Sequence, residues 1–298
     1  MKYILLVSLK NRFTFGYIQE KNAEVQTVYR KDDAGKAMRL FRKAMYFSCL
    51  KWGGWLYGDW VKEIRDPEVQ IIVFDECKAN FRLRRVLKEA ARRPILYYWN
   101  PIRAKEKRFL NGQKKVFDLW TFDRQDALKY GIGYNHQFVP YVRLERENRF
   151  DFSFIGVDKG RYAENKRIFD LLEENFRCFF YIVGNGEDEV FHREEMPYSE
   201  YLRYEAESAC ILDVVQKNQT GWTLRVIESL INQKKLLSNN REILRADFYR
   251  PENILVFDGK TTAEEIKSFL LRPFIPYNEE VIEEYLVGSW IRRFGREK

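Results

Sequence analysis

Short apolar runs alternate with amphipathic, helix-like patterns over most of the length of this chain. In the first half, the apolar runs lie at residues 3–9, 69–76, 94–100 and 115–123, and the helical patterns at 34–52, 80–92 and 123–131. Apolar runs of this length, bounded by turn residues, are typical of buried strands. Strands separated by helices predict a parallel sheet with helices on both faces.

The second half of the chain repeats this organisation. Its apolar runs lie at 150–157, 178–186, 210–215, 235–240 and 254–259, and its helical patterns at 161–175, 198–208, 223–233, 262–270 and 278–296. Thr261 or Thr262, with Glu265 nearby, is the expected N-cap of the helix at 262–270. The charged segment VPYVRLERENRF, which contains Pro140, separates the halves and predicts a linker.

These patterns predict an α/β protein of two Rossmann-like, doubly wound domains that face a cleft. We place the domains at residues 1–145 and 146–298, because 298 residues suffice for two hydrophobic cores. The terminal helix is a candidate for packing back on the first domain. Ligands of such folds bind at the carboxyl ends of the strands.

Charge is distributed unevenly between the two halves. Residues 1–150 carry a net charge of +14, whereas residues 151–298 carry −6. A strongly basic half predicts contact with something anionic, and nucleic acid, a membrane leaflet and a lipid phosphate all qualify.

Cysteine and histidine usage argues against a disulfide framework or a structural zinc site. The four cysteines, at 49, 77, 178 and 210, are widely scattered, and the chain has only two histidines. MKYILLVSL reads as a first buried strand rather than a signal peptide, and no apolar stretch reaches the ~18 residues that span a bilayer. We expect a cytoplasmic protein, with the inner membrane face as a place of peripheral contact.

The most informative segment is CILDVVQKNQTGWTLRVIESLINQKKLLSNN, at residues 210–240. A buried strand leads into a polar loop, in which Gly221 permits a ligand to approach the backbone closely. Thr220 or Thr223 is the expected cap of the helix that follows. The amides and partial positive charge of a helix N-terminus suit a diphosphate, and the carboxylate of Glu228 suits the hydroxyls of a ribose.

This segment, followed by DFYRPENILVFD, resembles the donor-binding region of GT-B glycosyltransferases. The likeness is greatest to bacterial transferases of capsular-polysaccharide and lipopolysaccharide biosynthesis. FSFIGVDKGRYAENKRI at 152–168 resembles the opening of their donor domain, and VFDLWTFDRQDALKYG at 116–131 the end of their acceptor domain. The resemblance covers roughly residues 115–260.

The resemblance implies a donor site at Gly156, Lys159, Arg161, Gly184, Asn185, Gln219, Thr220, Gly221, Thr223, Arg225 and Glu228. In it, the 219–223 turn holds the diphosphate, Arg225 supports this loop or pairs with phosphate, and Glu228 holds the ribose. The first three residues lie beneath the diphosphate, and Gly184 and Asn185 flank the base. Trp222 departs from the pattern, because small or aliphatic residues are common there. The alternative is that the glycines only make turns and that Glu228 is a solvated helix residue.

The sequence predicts no essential metal and no cofactor beyond the donor substrate. The acidic segment GEDEV lacks the DxD pattern of metal-dependent transferases. Candidates for a catalytic base are Asp75, Glu76 and Asp123, which follow predicted strands. Each has an alternative role as a helix cap or surface carboxylate, and a retaining reaction needs no such base.

Basic and aromatic residues cluster between residues 36 and 57. Lys36, Arg39 and Lys43 recur at helical spacing and are followed by Trp52 and Trp55, a combination that suits an anionic leaflet or an acceptor site. The alternative is an ordinary helix that packs on the sheet with solvated lysines.

Together these observations favour a glycosyltransferase that moves a sugar from a nucleotide-sugar to a growing cell-surface glycan or lipid-linked acceptor. One alternative is a nucleic-acid-binding protein, although no such motif occurs and the second half is acidic. Another is a catalytically silent relative that acts as a partner protein. A Rossmann-type oxidoreductase is disfavoured, because KNRFTFGYIQ, after the first strand, lacks the GxGxxG pattern.

Overall fold

The computed structural model describes residues 1–8, 15–30, 40, 56–77, 81–140, 142–216 and 219–294. The chain divides into two compact units, Met1–Asn135 with Ile291–Lys298, and His136–Trp290. Within the described ranges, no helix has both the length and the apolar character needed to cross a bilayer.

The first unit contains a six-stranded sheet with the order β2-β1-β3-β4-β5-β6. Every neighbouring pair in it is parallel. The strands are β1 Lys2–Val7, β2 Ala23–Thr27, β3 Val69–Phe74, β4 Ile95–Tyr98, β5 Asp118–Thr121 and β6 Gly133–Tyr134. The helices are α1 Phe81–Leu87, α2 Ala104–Lys114 and α3 Arg124–Tyr130.

Local sequence explains the central elements of this unit. All six residues of β3, VQIIVF, are buried, as expected for a strand that lies between β1 and β4 with both faces covered. Asp123 caps α3 at its N-terminus, and Gly131 ends it in a left-handed conformation with φ 57°.

The second unit contains a six-stranded sheet with the order β12-β11-β10-β7-β8-β9, again with parallel neighbours. The strands are β7 Phe150–Val157, β8 Cys178–Val183, β9 Phe191–His192, β10 Ser208–Asp213, β11 Lys235–Ser238 and β12 Ile254–Val256. The helices are α4 Arg161–Glu164, α5 Lys166–Asn175, α6 Tyr198–Ala206, α7 Leu224–Ile231, α8 Ala263–Leu271 and α9 Glu279–Glu284. Helix α10, Val287–Arg293, begins in the second unit, and its residues from Ile291 onward belong to the first.

The strand order of the second unit is that of dinucleotide-binding folds. Numbered from its own first strand, the sheet reads 3-2-1-4-5-6. The first unit follows the other common doubly wound order, which begins 2-1-3-4-5. The prediction of two α/β units with doubly wound parallel sheets is therefore confirmed.

Several elements differ from the sequence-based expectation. The helix expected at 161–175 is two helices, α4 and α5, because Asn165 leaves helical geometry and its side-chain amide donates to the carbonyl oxygen of Arg161. Strands β2, β6 and β9 and helix α2 were not predicted. The helix expected at 34–52 lies outside the described residues, apart from Leu40.

Candidate functional site

In each sheet, the chain adds strands first on one side of its first strand and then on the other, so that the strand order reverses at one point. This point lies between β1 and β3 in the first unit and between β7 and β10 in the second. At such a point the connections diverge and leave a crevice at the carboxyl ends of the two strands, where ligands of doubly wound folds bind. Both crevices contain residues that the sequence singles out.

In the second unit, Arg161 joins the ends of the two central strands. Its buried guanidinium donates to the carbonyl oxygens of Asp158 at 3.1 Å, of Val214 at 3.1 Å and of Val157. Burial and the charge of Arg225 lower the pKa of Arg161 to about 9. Arg161 is therefore still a cation at neutral pH, in a place where a further negative charge is favourable.

Arg225 reaches the same crevice from the first turn of α7. Its guanidinium donates to a carboxylate oxygen of Asp213 and to the carbonyl oxygen of Ile155, both at 3.3 Å. Its Nε atom is buried and makes no hydrogen bond in the described part of the chain. The contacts with Asp213 and Ile155 fix the guanidinium of Arg225 between the ends of β7 and β10.

The two arginines converge on Gly156 and Phe154 of β7. The guanidinium carbons of Arg161 and Arg225 lie 5.5 Å and 4.9 Å from the centre of the Phe154 ring. A Cβ atom at Gly156 would lie 3.1 Å from Nη1 of Arg225 and 3.5 Å from Nη2 of Arg161. Gly156 therefore provides the space that both guanidinium groups occupy.

Asp213, at the end of β10, is the buried carboxylate that organises this crevice. It is 0% exposed and accepts from the Thr223 hydroxyl at 2.7 Å, from the Ser238 hydroxyl at 2.8 Å and from Arg225. The sequence analysis missed Asp213. Its signal is a single charged residue in the otherwise apolar strand CILDVV.

The expected cap of α7 is corrected by this network. Thr223 is at the N-cap position, but its side chain accepts no hydrogen bond from the helix amides, and its hydroxyl donates to Asp213 instead. The first turn of α7 thus has no side-chain cap from Thr223. The proposed contact of those amides with a phosphate stays a prediction.

The 219–223 turn is held firmly by its own unit. Gln219, Gly221 and Thr223 are buried, and the carbonyl oxygen of Gly221 accepts from the side chains of Gln219 at 3.1 Å and Asn240 at 3.4 Å. Asn240 also donates to the carbonyl oxygen of Thr220 at 3.2 Å.

The packing of Trp222 explains why a bulky residue stands where the GT-B pattern has small or aliphatic residues. Its ring packs 5.1 Å from that of Phe248 and 5.9 Å from that of Tyr285. The bulky residue therefore anchors the 219–223 turn to the core of the second unit.

Glu228 is placed differently from the open carboxylate that the sequence led us to expect. Its side chain is 2% exposed and accepts from the hydroxyls of Tyr201 and, at 3.4 Å, Tyr198. Burial raises the pKa of Glu228 to about 7. Two tyrosines of α6 thus donate to the carboxylate that we expect to bind a ribose. The contact with the ribose stays a prediction.

The remaining predicted donor residues line a pocket beside Arg161. Lys159, Gly184 and Asn185 share this pocket of about 630 Å³ with residues on either side of Arg161, namely Val157, Asp158, Gly160 and Tyr162. Lys159 and Gly160 both have positive φ angles, 51° and 83°, which turn the chain sharply after β7. The Asn185 side chain accepts from Arg193.

A larger depression, of about 760 Å³, lies at the opposite edge of the second sheet. It is lined by residues near the amino ends of the strands, including Asp151, Ala209 and Lys235. Because ligands of doubly wound folds bind at the carboxyl ends, we favour the crevice between β7 and β10 as the functional site.

The crevice of the first unit contains carboxylates. Asp75 follows β3 and accepts from the backbone amide of Trp99 at 3.0 Å and from Asn100 at 3.4 Å. Asn100 also donates to Glu76 at 3.3 Å, and the Ser8 hydroxyl donates to Glu76 at 3.5 Å. Burial, with a smaller contribution from the charge of Glu76, raises the pKa of Asp75 to about 7. A carboxyl group that titrates near neutrality is suited to general-base chemistry.

Asp123 has the alternative role that we considered for it. One carboxylate oxygen accepts from the backbone amides of Gln125 at 2.9 Å and Asp126 at 3.1 Å, which makes Asp123 the cap of α3. Asp75 and Glu76 therefore remain the candidates for a base.

Comparison with solved structures finds a similarity that extends over nearly the whole chain. It is to the apo form of a lipopolysaccharide outer core galactosyltransferase, WaaB, with 14% identity and a TM-score of 0.44, and it covers 99% of this chain and 98% of that chain. No family model and no curated protein sequence matches the chain. At this level of similarity a shared activity does not follow, so function has to be argued from the site.

Two predictions about the surroundings of the site concern residues or ligands that the described structure does not test. Lys36, Arg39, Lys43, Trp52 and Trp55, predicted to contact a membrane or acceptor, lie outside the described residues. Among the residues that are described, no group of three or more His, Cys, Asp or Glu side chains could hold a metal ion.

Proposed function

We propose that this protein is a glycosyltransferase that binds a nucleotide-sugar at the crevice between β7 and β10. The observation that carries the proposal is the convergence of two buried guanidinium groups, those of Arg161 and Arg225, at the carboxyl ends of those strands. The buried carboxylate of Asp213 lies in the same crevice and accepts from Arg225. This arrangement suits a ligand with more than one negative charge, such as a diphosphate.

The same groups fit the chemistry of sugar transfer. When the bond between the anomeric carbon and the diphosphate breaks, negative charge develops on the leaving oxygen. Fixed cationic donors in a buried site stabilise such charge strongly and need little reorganisation. We therefore propose that Arg161 and Arg225 take the role that a metal ion has in DxD transferases.

We further propose that Asp75 is the general base for an inverting reaction. In this step the acceptor hydroxyl oxygen bonds to the anomeric carbon, the bond to the diphosphate breaks, and the hydroxyl proton passes to the Asp75 carboxylate. With a pKa of about 7, a large share of Asp75 is ionised at neutral pH, and the ionised form is basic enough to accept the proton. The acceptor class that we propose, a growing cell-surface glycan or a lipid-linked sugar, supplies the hydroxyl.

A thermal-shift panel with UDP, GDP, CMP and TDP tests the donor site. A nucleotide at about 100 times its Kd stabilises the protein by about 2.7 kcal/mol, so a true ligand raises the melting temperature clearly. Arg225→Lys should weaken the binding of that nucleotide about tenfold, because lysine cannot reproduce the fork of donors. Arg245→Lys, in an exposed ion pair with Glu242, is the matched control.

One result would contradict the proposed donor site, and another would contradict the proposed activity. If no nucleotide in the panel raises the melting temperature at millimolar concentration, the donor site is wrong. If one binds but purified protein turns over none of the radiolabelled nucleotide-sugars with glycan or lipid-linked acceptors, a catalytically silent partner protein is the better description.

A further inference from the structure

Two glutamates and a tyrosine form a buried cluster between α6 and α7. The Tyr201 hydroxyl lies 2.6 Å from a carboxylate oxygen of Glu205 and within hydrogen-bond distance of Glu228. Glu205 is 1% exposed and Glu228 is 2% exposed. Both buried acids therefore share the hydroxyl group of one half-buried tyrosine.

Counting protons shows that two ionised glutamates do not fit this geometry. A tyrosine hydroxyl has one proton, so it can donate to one carboxylate only, and an ionised carboxylate cannot donate in return. The second short contact is a hydrogen bond only if the other glutamate carries a proton and donates it to the tyrosine oxygen. The cluster therefore holds one more proton than two carboxylates would.

The surroundings indicate which glutamate holds this proton. Glu228 is also approached by the Tyr198 hydroxyl at 3.4 Å, and Arg225 lies one turn earlier on the same helix. Both neighbours favour a carboxylate at Glu228. The second oxygen of Glu205, by contrast, is buried and has no hydrogen-bond partner in the described part of the chain.

The electrostatics of the cluster agree with this assignment. Burial, and then the charge of Glu228, raise the pKa of Glu205 well above its ordinary value. The titratable and charged groups that face the cluster are Tyr198 and Tyr201 from α6 and Arg225 from α7, in addition to the two glutamates. Arg225 is the cation among them.

We propose that Glu205 is protonated at neutral pH and donates to Tyr201, which in turn donates to the carboxylate of Glu228. Glu205 and Tyr201 are then positioning residues, because they fix the orientation and the ionised state of Glu228. One part of this inference rests on the proposed function, namely that the carboxylate of Glu228 contacts a pentose hydroxyl of the nucleotide. The protonation of Glu205 does not depend on it.

The protonation is tested without any ligand, by urea unfolding of the wild-type protein and Glu205→Gln at several pH values. A folded-state pKa above the unfolded value means that stability is lost as pH rises, since the folded chain must keep a proton that the unfolded chain releases. Between about pH 5.5 and about pH 7.5, the wild type should take up about one proton more on folding than Glu205→Gln. Glu200→Gln, an exposed position on the same helix, should match the wild type.

An infrared measurement on the wild-type protein gives a result that does not depend on a variant folding. With ¹³C at the side-chain carboxyl of glutamate, a protonated Glu205 should give a carboxylic-acid band at pH 8, where Glu228, with a pKa of about 7, is mostly ionised. Equal pH dependence in Glu205→Gln and the wild type, or the absence of this band, would overturn the protonation.

The positioning role is tested by the affinities of UDP and GDP. Glutamine can still donate to Tyr201, so Glu205→Gln should bind the preferred nucleotide within about twofold of the wild type, whereas Glu205→Ala should bind it about tenfold more weakly. Wild-type affinity in the alanine variant would refute the positioning role. If the wild type binds neither nucleotide, the proposed donor site fails, while the proton measurement still stands or falls by its own result.

Discussion

At the scale of single residues, the two crevices carry charges opposite to those of the halves that contain them. The first half has a net charge of +14, yet its crevice holds Asp75 and Glu76. The second half has −6, yet Arg161 and Arg225 meet in its crevice. A net charge summed over half of the chain therefore does not give the charge at a strand end, which has to be argued from the few side chains that the fold brings there.

Asp75→Asn tests the proposed base. The variant should reduce kcat about 10²- to 10⁴-fold while the Kd of the nucleotide stays unchanged, because the amide cannot accept the proton. Asp66→Asn, an exposed position in the same unit, should leave both values unchanged. Unaltered kcat in Asp75→Asn would remove this residue from the mechanism.

The raised pKa of Asp75 also predicts how the free energy of unfolding depends on pH. Because its folded pKa is raised to about 7, the stability that its protonated form contributes is present in acid and is lost as pH rises toward 7. Asp75→Asn should remove this dependence, so that its free energy of unfolding falls less than that of the wild type between about pH 4 and about pH 8. Urea unfolding across that range measures the difference.

Gly156→Ala tests the convergence of the two guanidinium groups. The added methyl group would sit 3.1 Å from Arg225, so it should cost about 1 kcal/mol of stability and weaken nucleotide binding. Gly259→Ala is the control, since a Cβ there meets nothing within 4 Å. Calorimetric titration of both variants should show weaker binding only in the first, and equal affinities would argue against a ligand at this crevice.

Residue types at the site could be predicted from the sequence, but their partners could not. The loop, Arg225 and Glu228 are recognisable because they follow one another along the chain. The neighbours that decide the state of Glu228 lie on another helix, more than twenty residues earlier, where Tyr201 and Glu205 look like ordinary helical positions. Asp213 is likewise visible only as one charge in an apolar strand.

At the scale of elements, the predicted strands and helices are those with the largest buried face. Strand β3 is buried at every position and was readily predicted. Strand β2, AEVQT, has no fully buried residue because it lies at the sheet edge, and α2, AKEKRFLNGQK, is too polar to show a clear apolar stripe. Strands β6 and β9 have two residues each, which is too short for any period.

The N-terminus of α8 gives a testable element. Thr262 accepts from the amide of Glu265 and Glu265 accepts from the amide of Thr262, which confirms the predicted capping box. Thr262→Ala should lower the free energy of unfolding by about 1 kcal/mol. Ser268→Ala, at an exposed position later in the helix, should not lower it. Urea unfolding of the two variants provides the comparison, and equal stabilities would show that the cap is unimportant.

At the scale of the whole molecule, the proposed partner of the basic half is an anionic membrane surface. Vesicles that contain phosphatidylglycerol should bind the protein at about 50 mM salt and release it at about 300 mM, because screening weakens such contacts. Vesicles of phosphatidylcholine alone should not bind it. Sedimentation measures both, and binding to an RNA oligonucleotide but to neither vesicle would favour the nucleic-acid alternative.

The residues responsible can be tested together. Replacing Lys36, Arg39 and Lys43 with glutamine should weaken binding to the anionic vesicles roughly a hundredfold, at about 1 kcal/mol per basic residue. The same replacement at Lys260, Lys267 and Arg272, in the acidic half, should have little effect. Equal losses in the two triple variants would mean that only net charge matters.

The route of the chain determines when each unit can be completed during synthesis. Phe294 packs edge-on against Trp120, at 5.0 Å, and against Tyr97, and residues 291–298 are grouped with the first unit. A nascent chain that stops at residue 135 therefore lacks part of its own aromatic cluster. The contacts of Phe294 with Trp120 and Tyr97 therefore form only after the whole of the second unit has been synthesised.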